Sequence, residues 1–247
     1  MTVNLLWQHP PQDLQLTPAT VHVWGSSIAP TAERLDCYTP LLSAQEQARA
    51  SRFRFDRDRD RFILSRGILR QILANYLRCP PAELVFGYGE FGKPYLANSP
   101  LPQLQFNLSH SGDIALYALT CDRQVGIDIE TKRPLSRLAK LAEHCLTLRE
   151  KNHLLSLEAG RQPTVFFSYW TCKEAFLKAI GKGLTQAMDD LEILLNDSPQ
   201  LLQAADISVE NWRLAMLHPA EDYTAAIAVE GTDWQLSCWR YVDESVE

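Results

Sequence analysis

The sequence contains no C-x-x-C pair. Its six cysteines, Cys37, Cys79, Cys121, Cys145, Cys172 and Cys238, are scattered along 247 residues. That pattern argues against structural zinc and a disulfide framework and fits a reducing compartment. Also missing is any run approaching the ~20 apolar residues needed to cross a bilayer. The first residues, MTVNLLWQHP, lack a basic segment followed by a long apolar core, so no secretory signal is read there. A cytoplasmic protein with no membrane partner is expected. A surplus of positive charge is absent as well, since 24 Lys and Arg face 30 Asp and Glu for a net charge of −6. This excludes a nucleic-acid partner held by broad neutralisation of phosphates, although local basic patches remain open. No G-x-S-x-G elbow surrounds a serine, which removes the usual serine-hydrolase reading. What remains is an ordinary globular composition, 46% hydrophobic and 22% charged, long enough for one large domain or two of about half the length.

Local patterns divide the chain into elements. VHVWG, residues 21 to 25, alternates like a strand and is expected to stop at its glycine. Ser43 and Glu46 have the three-residue spacing of a reciprocal helix cap, in which each side chain satisfies an orphan amide. After the charged run RFRFDRDRDR, the residues Phe62, Leu69, Ile72, Leu73 and Tyr76 recur at helical spacing and predict a core helix. LVFGYGEFGKPYL places turn residues Gly87, Gly89, Gly92 and Pro94 between short apolar stretches. LQFNLSHSGDIALYALTCDRQVGIDIE then reads as three strands of an antiparallel meander, joined at S-G-D and D-R-Q.

The second half repeats the first. Thr147 and Glu150 form another capping pair, and TVFFSYWTCKEAFLKAIGKGL predicts another long helix, ended by Gly181. Aligning the two helices places Phe62 over Trp170, Ile68 over Phe176 and Leu69 over Leu177. Further strands are expected in EILLN, WRLAML, YTAAIAV and WQLSCWRYV. The predicted fold is α+β: two pseudo-symmetric α/β subdomains from a duplicated unit, with mainly antiparallel sheets and packed helices. The first runs over residues 1–122 and the second over 123–247, with the active site in the cleft between them.

Four stretches carry candidate chemistry. In GIDIE, Asp128 and Glu130 project from one face of a strand while Val125, Ile127 and Ile129 take the other. Their repulsion is relieved either by water on an exposed strand or, better, by a divalent cation, because magnesium takes hard oxygen ligands and substrate phosphates. In WTCKEAFLKAIGKGL, Trp170, Glu174 and Lys178 are spaced by four and share a helix face, with Lys173 beside them. A surface Glu–Lys pair is one reading; on so apolar a helix, charges lining a cleft is the other. In FNLSHSGD, Ser109 and His110 are adjacent on a strand and therefore diverge, which again disfavours a hydrolase. They suit phosphate oxygens at a strand end, or a structural histidine. The basic residues Arg49, Arg52, Arg54, Arg57, Arg59 and Arg61 alternate in part with aspartate as a solvated surface does, with a few left to reach a phosphate together with Lys93.

Taken together, GKPYL, FNLSHSGD, GIDIE and WTCKEAFLKAIGKGL, spanning residues 92 to 184, resemble the Sfp-type 4'-phosphopantetheinyl transferases. The resemblance implies transfer of 4'-phosphopantetheine from coenzyme A to a serine of an acyl or peptidyl carrier protein, with release of adenosine 3',5'-bisphosphate. It implies magnesium held by Asp128, Glu130 and Glu174. It implies coenzyme A contacts from Lys93, Ser109, His110, Lys173 and Lys178. Glu174 or a water it orients is the implied base, with Glu150 the other candidate; a purely capping Glu150 is the competing reading. The chain departs from the family where basic residues often open the capped helix: Glu46 stands there, and Arg49 holds the next such position. Arg52 or Arg61 is then expected to assist at the nucleotide 3'-phosphate. After the metal strand only Lys132 and Arg133 are obvious phosphate contacts. With both copies of the unit in one chain, a monomer is expected. A magnesium-dependent nucleotide phosphohydrolase and a non-catalytic coenzyme A or carrier-binding protein are the alternatives.

Overall fold

Alternation along the strands and period-3.6 patterning along two long helices sort the side chains into three cores. The computed structural model describes residues 7–11, 13–99, 101, 103–182, 188–196, 198–204 and 207–243. The first six residues of MTVNLLWQHP, and Gly183 and Leu184 at the end of the second helical motif, lie outside the described residues.

The first unit begins with β1 (Thr20–Ser27), followed by α1 (Ala32–Tyr38), α2 (Ala44–Ala50) and α3 (Asp56–Leu77). A short hairpin, β2 (Phe86–Tyr88) with β3 (Pro94–Leu96), leads into β4 (Leu104–Ser111) and β5 (Ile114–Cys121). The second unit follows the same plan: β6 (Val125–Thr131), α4 (Leu138–Cys145), α5 (Leu148–Ser156) and α6 (Gln162–Ile180). Then come the hairpin β7 (Leu191–Leu194) with β8 (Gln200–Ala204), and β9 (Trp212–Leu217) and β10 (Tyr223–Glu230). Strand order repeats too. The first sheet contains β1-β5-β4 and the second β6-β10-β9, so in each the unit's first strand lies beside its last. The duplication expected from two similar helices therefore extends to topology.

Four expectations change. Gly25 does not end β1, because Gly25 is paired on both sides, with Leu116 and Arg240, and the ladder holds it extended through Ser27. The charged run does not precede α3; the helix starts inside it at Asp56, with Asp56 and Asp58 in its first turn where the helix dipole favours acids. The three-strand meander also fails. β4 and β5 pair antiparallel, but β6 leaves that sheet and pairs with β10. Finally, β11 (Gln235–Arg240), placed by sequence in the second unit, runs parallel to β1 and extends the first unit's sheet.

The layers follow from which face each residue takes. Val21 and Val23 of β1 join Ile114, Leu116 and Ala118 of β5 against Val125, Ile127, Ile129, Ala225, Ile227 and Val229 of the second sheet, all fully or almost fully buried. The two sheets thus pack face to face. On its outer face the first sheet carries α3, through Leu64, Ile68, Leu69 and Leu73 against Tyr117 and Leu119. The second carries α6, through Phe176, Leu177 and Cys172 against Ala226 and Ala228. Each such large apolar side chain contributes about 1.5–3 kcal/mol by leaving water.

Gly126 sets how near α6 comes to β6. A Cβ there would lie 2.0 Å from the Ala175 carbonyl oxygen and 2.3 Å from the Ala179 amide nitrogen. Only a residue without a side chain permits that approach. Gly126, Asp128 and Glu130 share one face, so the same approach brings Glu174 and Lys178 of α6 towards the acids. Gly181, at φ 71, then closes the helix in the left-handed conformation. Gly126→Ala is expected to lose at least ~1–3 kcal/mol in equilibrium denaturation, because backbone rather than a flexible side chain must retreat. An unchanged urea midpoint would show that α6 is free to move away.

Candidate active site

The seam between the sheets is where the acids lie. β4 is the outer strand of its sheet, and β6 the outer strand of the other. They run in the same direction and are laced by side chains instead of a backbone ladder. Asn107 Oδ1 accepts from the Ile127 amide at 3.0 Å. Ser109 Oγ donates to Asp128 Oδ1 at 2.9 Å, and Ser111 Oγ to Glu130 Oε2 at 3.3 Å. Ser111 Oγ in turn accepts from the Thr131 amide at 3.1 Å. Strand edges at this seam thus find partners that also orient both acids.

From the other side α6 supplies Lys178, whose Nζ donates to Asp128 Oδ1 at 2.6 Å and to Ser109 Oγ at 2.9 Å. Glu174 sits one turn earlier, 8% exposed, with Oε1 buried and without a hydrogen-bond partner. Asp128 Oδ2 is likewise buried and unpartnered. Burial, then the charge of Asp128, pushes the Glu174 carboxyl up to about 7. Glu130 is raised for the same two reasons. Three acids thus crowd one seam against Lys178 and the half-exposed Arg133, which contacts Glu130 at 3.3 Å.

This donor set fits a hard divalent cation. Two buried carboxylate oxygens are left without partners, a costly state that an oxygen-preferring ion relieves. Among the described residues no three His, Cys, Asp or Glu side chains are gathered as around a bound ion. At Asp128 the ammonium of Lys178 holds one carboxylate oxygen.

Beside the acids lies a cavity of about 360 Å³ whose wall includes Arg49, Arg66, Ser109, His110 and Lys178 and no acidic residue. Arg49 is exposed and lies over the Phe62 ring, 5.3 Å from its centroid. The surrounding protein, with the positive charges of Lys178 and Arg61, holds His110 below the ordinary imidazole range. Although Ser109 and His110 are adjacent on the strand, both line this cavity, because β4 is an outer strand and its border opens here. A larger cavity of about 560 Å³ is lined by Lys93, Tyr95, Gln105, Asp122, Arg123 and Glu230. Its charges are of mixed sign and none of the three acids borders it, so the smaller cavity suits an anionic ligand better.

Four residues expected at the site are placed elsewhere. Lys93 donates to the carbonyls of Val125 at 3.1 Å and Ala179 at 2.7 Å, pinning the β2–β3 hairpin to the end of α6. Burial pushes its ammonium down to about 8. Arg61 is committed to Asp113, with Nε at 3.0 Å. Lys173 is fully buried and spends all three donors, on Glu150 Oε2 at 2.6 Å, Cys145 O at 2.8 Å and Met188 O at 2.9 Å. Five residues along a helix turn it well away from Lys178. Glu150, 1% exposed, also accepts from the amides of Thr147 at 2.8 Å and Ile193 at 2.7 Å. Both oxygens of Glu150 are engaged inside the core, and the capping reading is the one the geometry supports.

Sequence reasoning missed Ser65, Arg66 and Tyr88 on the cavity wall. Arg66 and Arg70, one turn apart within an apolar helical pattern, were the available signal: charges there are buried and need a partner. That partner is Glu46, which accepts from Arg66 Nε at 2.9 Å and Arg70 Nε at 2.9 Å. Burial opposes the Glu46 charge, but both guanidinium groups and the Ser43 amide outweigh it and hold the carboxyl low.

Glu150→Gln leaves the Lys173 ammonium buried without its counter-charge and is expected to lose about 3–5 kcal/mol in chemical denaturation. A Glu150 acting only in catalysis would leave the unfolding midpoint where it was.

Comparison with known proteins gives this geometry a family. A model described as the 4'-phosphopantetheinyl transferase superfamily matches residues 124–228. A second, described as 4'-phosphopantetheinyl transferase, N-terminal, matches residues 26–122. The 4'-phosphopantetheinyl transferase HetI of Nostoc sp. is 41% identical over 237 residues, 95% of this chain and 98% of that protein. The 4'-phosphopantetheinyl transferase Sfp of Bacillus subtilis is 28% identical over 169 residues, 68% of this chain and 73% of that one. Among solved structures, the holo-(acyl-carrier-protein) synthase of Bacillus anthracis in complex with CoA (3',5'-ADP) is 26% identical. It covers 44% of this chain and 96% of its own, with a TM-score of 0.38. With a near full-length relative at 41% identity, the chain belongs to the 4'-phosphopantetheinyl transferase superfamily.

Proposed function

We propose that the chain transfers 4'-phosphopantetheine from coenzyme A to a serine hydroxyl of an apo acyl or peptidyl carrier protein, releasing adenosine 3',5'-bisphosphate. One observation carries this reading. Two buried, unpartnered acid oxygens, Asp128 Oδ2 and Glu174 Oε1, adjoin a cavity with a basic wall and no acid. The pairing suits a cation on one side and phosphates on the other, as the pyrophosphate of coenzyme A requires.

Asp128, Glu130 and Glu174 would hold magnesium, which when bound neutralises charge on the pyrophosphate oxygens. The remaining roles belong to side chains on this chain. Arg49 and Lys178 offset the charge of the phosphates, His110 orients them through a ring N–H, and Ser109 keeps Asp128 in place. The carrier's serine oxygen forms a bond to the phosphorus that bears the pantetheine. The bond from that phosphorus to the bridging oxygen breaks, and adenosine 3',5'-bisphosphate departs. The serine proton passes to Glu174 or to a water it orients, since every oxygen of Glu150 is already committed. The units at residues 1–122 and 123–247 form the two walls of the cleft within one chain, which fits a monomer. Among the described residues no helix is long and apolar enough to cross a membrane.

Mass measurement of an apo carrier incubated with the protein, coenzyme A and magnesium tests the reading. A gain of one phosphopantetheine is expected; inorganic phosphate released without carrier modification would instead make the protein a phosphohydrolase. Asp128→Ala is expected to fold and to transfer at less than ~1% of the wild-type rate, the size of losing a principal electrostatic contact. Normal transfer by that variant would remove the carboxylates from the mechanism.

A further inference from the structure

The Glu130 side chain is 24% exposed, against 7% for that of Asp128. A long carboxylate side chain so open to water needs partners to keep one orientation. It has two, and both take the same oxygen. Ser111 Oγ donates to Glu130 Oε2 at 3.3 Å, and Arg133 Nη1 donates to that oxygen at 3.3 Å. Among the described residues no donor reaches Oε1. The Ser111 hydroxyl is itself fixed, accepting from the Thr131 amide at 3.1 Å and lying 3.1 Å from the Thr131 hydroxyl. With the Thr131 hydroxyl as donor, both lone pairs of Ser111 are filled and its single proton is left for Glu130. Arg133 is steadied by Phe167 of α6, whose ring centroid lies 5.2 Å from the guanidinium carbon. Asp128 shows the same pattern two residues earlier. Ser109 and Lys178 hold its Oδ1, and Oδ2 stays unpartnered. Serines two apart on β4 thus meet acids two apart on β6, and each acid has one oxygen held by a serine and a cation while the other is left open.

We infer that Ser111 is a positioning residue for Glu130: together with Arg133 it holds Oε2 and leaves Oε1 as the one oxygen that Glu130 offers to a divalent cation. The inference rests on the metal role given to Glu130 in the transferase reading, and it adds residues that act through that acid. A carboxylate tethered by one oxygen is already ordered when the ion arrives. An untethered one must be ordered by the ion, and affinity falls accordingly. A serine that only satisfied the Thr131 amide at the strand end would leave metal affinity where it is.

The test follows free Mn2+ by electron paramagnetic resonance as the ion is titrated into protein mixed with one equivalent of coenzyme A. Wild type is compared with Ser111→Ala, Ser111→Thr, Ser111→Val, Glu130→Gln and Ser111→Ala combined with Glu130→Gln. Ser111→Ala should bind Mn2+ about 10-fold more weakly than wild type, the lower end of the range for residues that orient a metal ligand. Threonine keeps the hydroxyl and valine matches its shape without one, so the first should bind like wild type and the second like the alanine variant. In the Glu130→Gln background the alanine substitution should change affinity by less than about 2-fold, because its effect passes through that carboxylate. The inference is overturned if Ser111→Ala and Ser111→Val bind Mn2+ as wild type does, or if the alanine loss is as large with Glu130→Gln as without it. A wild type that takes up no Mn2+ overturns it together with the metal role of the acids. Wild-type conversion of an apo carrier is measured alongside. If the carrier is modified and the Ser111 variants bind normally, only the role of Ser111 fails; if the carrier stays unmodified, the transferase reading fails and the Mn2+ titrations still decide Ser111.

Discussion

Asp128 is the group on which the site's arrangement depends. Buried to 5%, it accepts from a serine of β4 and a lysine of α6 while standing on β6. Three elements from both units therefore converge on one carboxylate, and a buried charge tolerates no looser arrangement because its partners replace water. The requirement reaches back to Gly126, two residues earlier on the same face, where the absence of a side chain lets α6 approach closely enough to deliver Lys178. The acid, the lysine and the glycine form one constraint, written in GIDIE and in the helix packed on it.

A second theme is one sequence device used twice with different ends. Both capping boxes form as paired serine or threonine with glutamate, and both glutamates are buried. In the first unit Glu46 turns to Arg66 and Arg70 and so fixes a guanidinium at the cavity wall. In the second Glu150 neutralises Lys173 within the core and ties α5 to α6 and β7. Duplication supplied the same glutamate in both halves, and the neighbouring long helix decided whether its partner served the cleft or the core. Glu46, which in the sequence looked like a lost positive charge, is the anchor for one.

The placement of Lys93 shows how far chemistry alone can be trusted. A lysine in a glycine-rich turn suits a phosphate, yet its ammonium is drawn to the Ala179 carbonyl at the end of α6, where the helix dipole favours a cation, and to the Val125 carbonyl of β6. Arg61 is diverted similarly by Asp113, 52 residues away in sequence. Nothing in the residues around either position announces these partners.

The sequence by itself determined the periodic helices, both capping boxes, the strand alternation that sets Asp128 and Glu130 on one face, and the i, i+4 relation of Glu174 to Lys178. Each is fixed by bonds and spacings within a few residues. Only the tertiary structure decided that β6 abandons the meander for a second sheet, that β11 returns to the first, that Lys173 and Glu150 face inward, and that Ser65, Arg66 and Tyr88 share a wall. Those outcomes turn on which distant partner satisfies a buried charge or a strand edge. That choice is made by packing between segments, and no local pattern carries it.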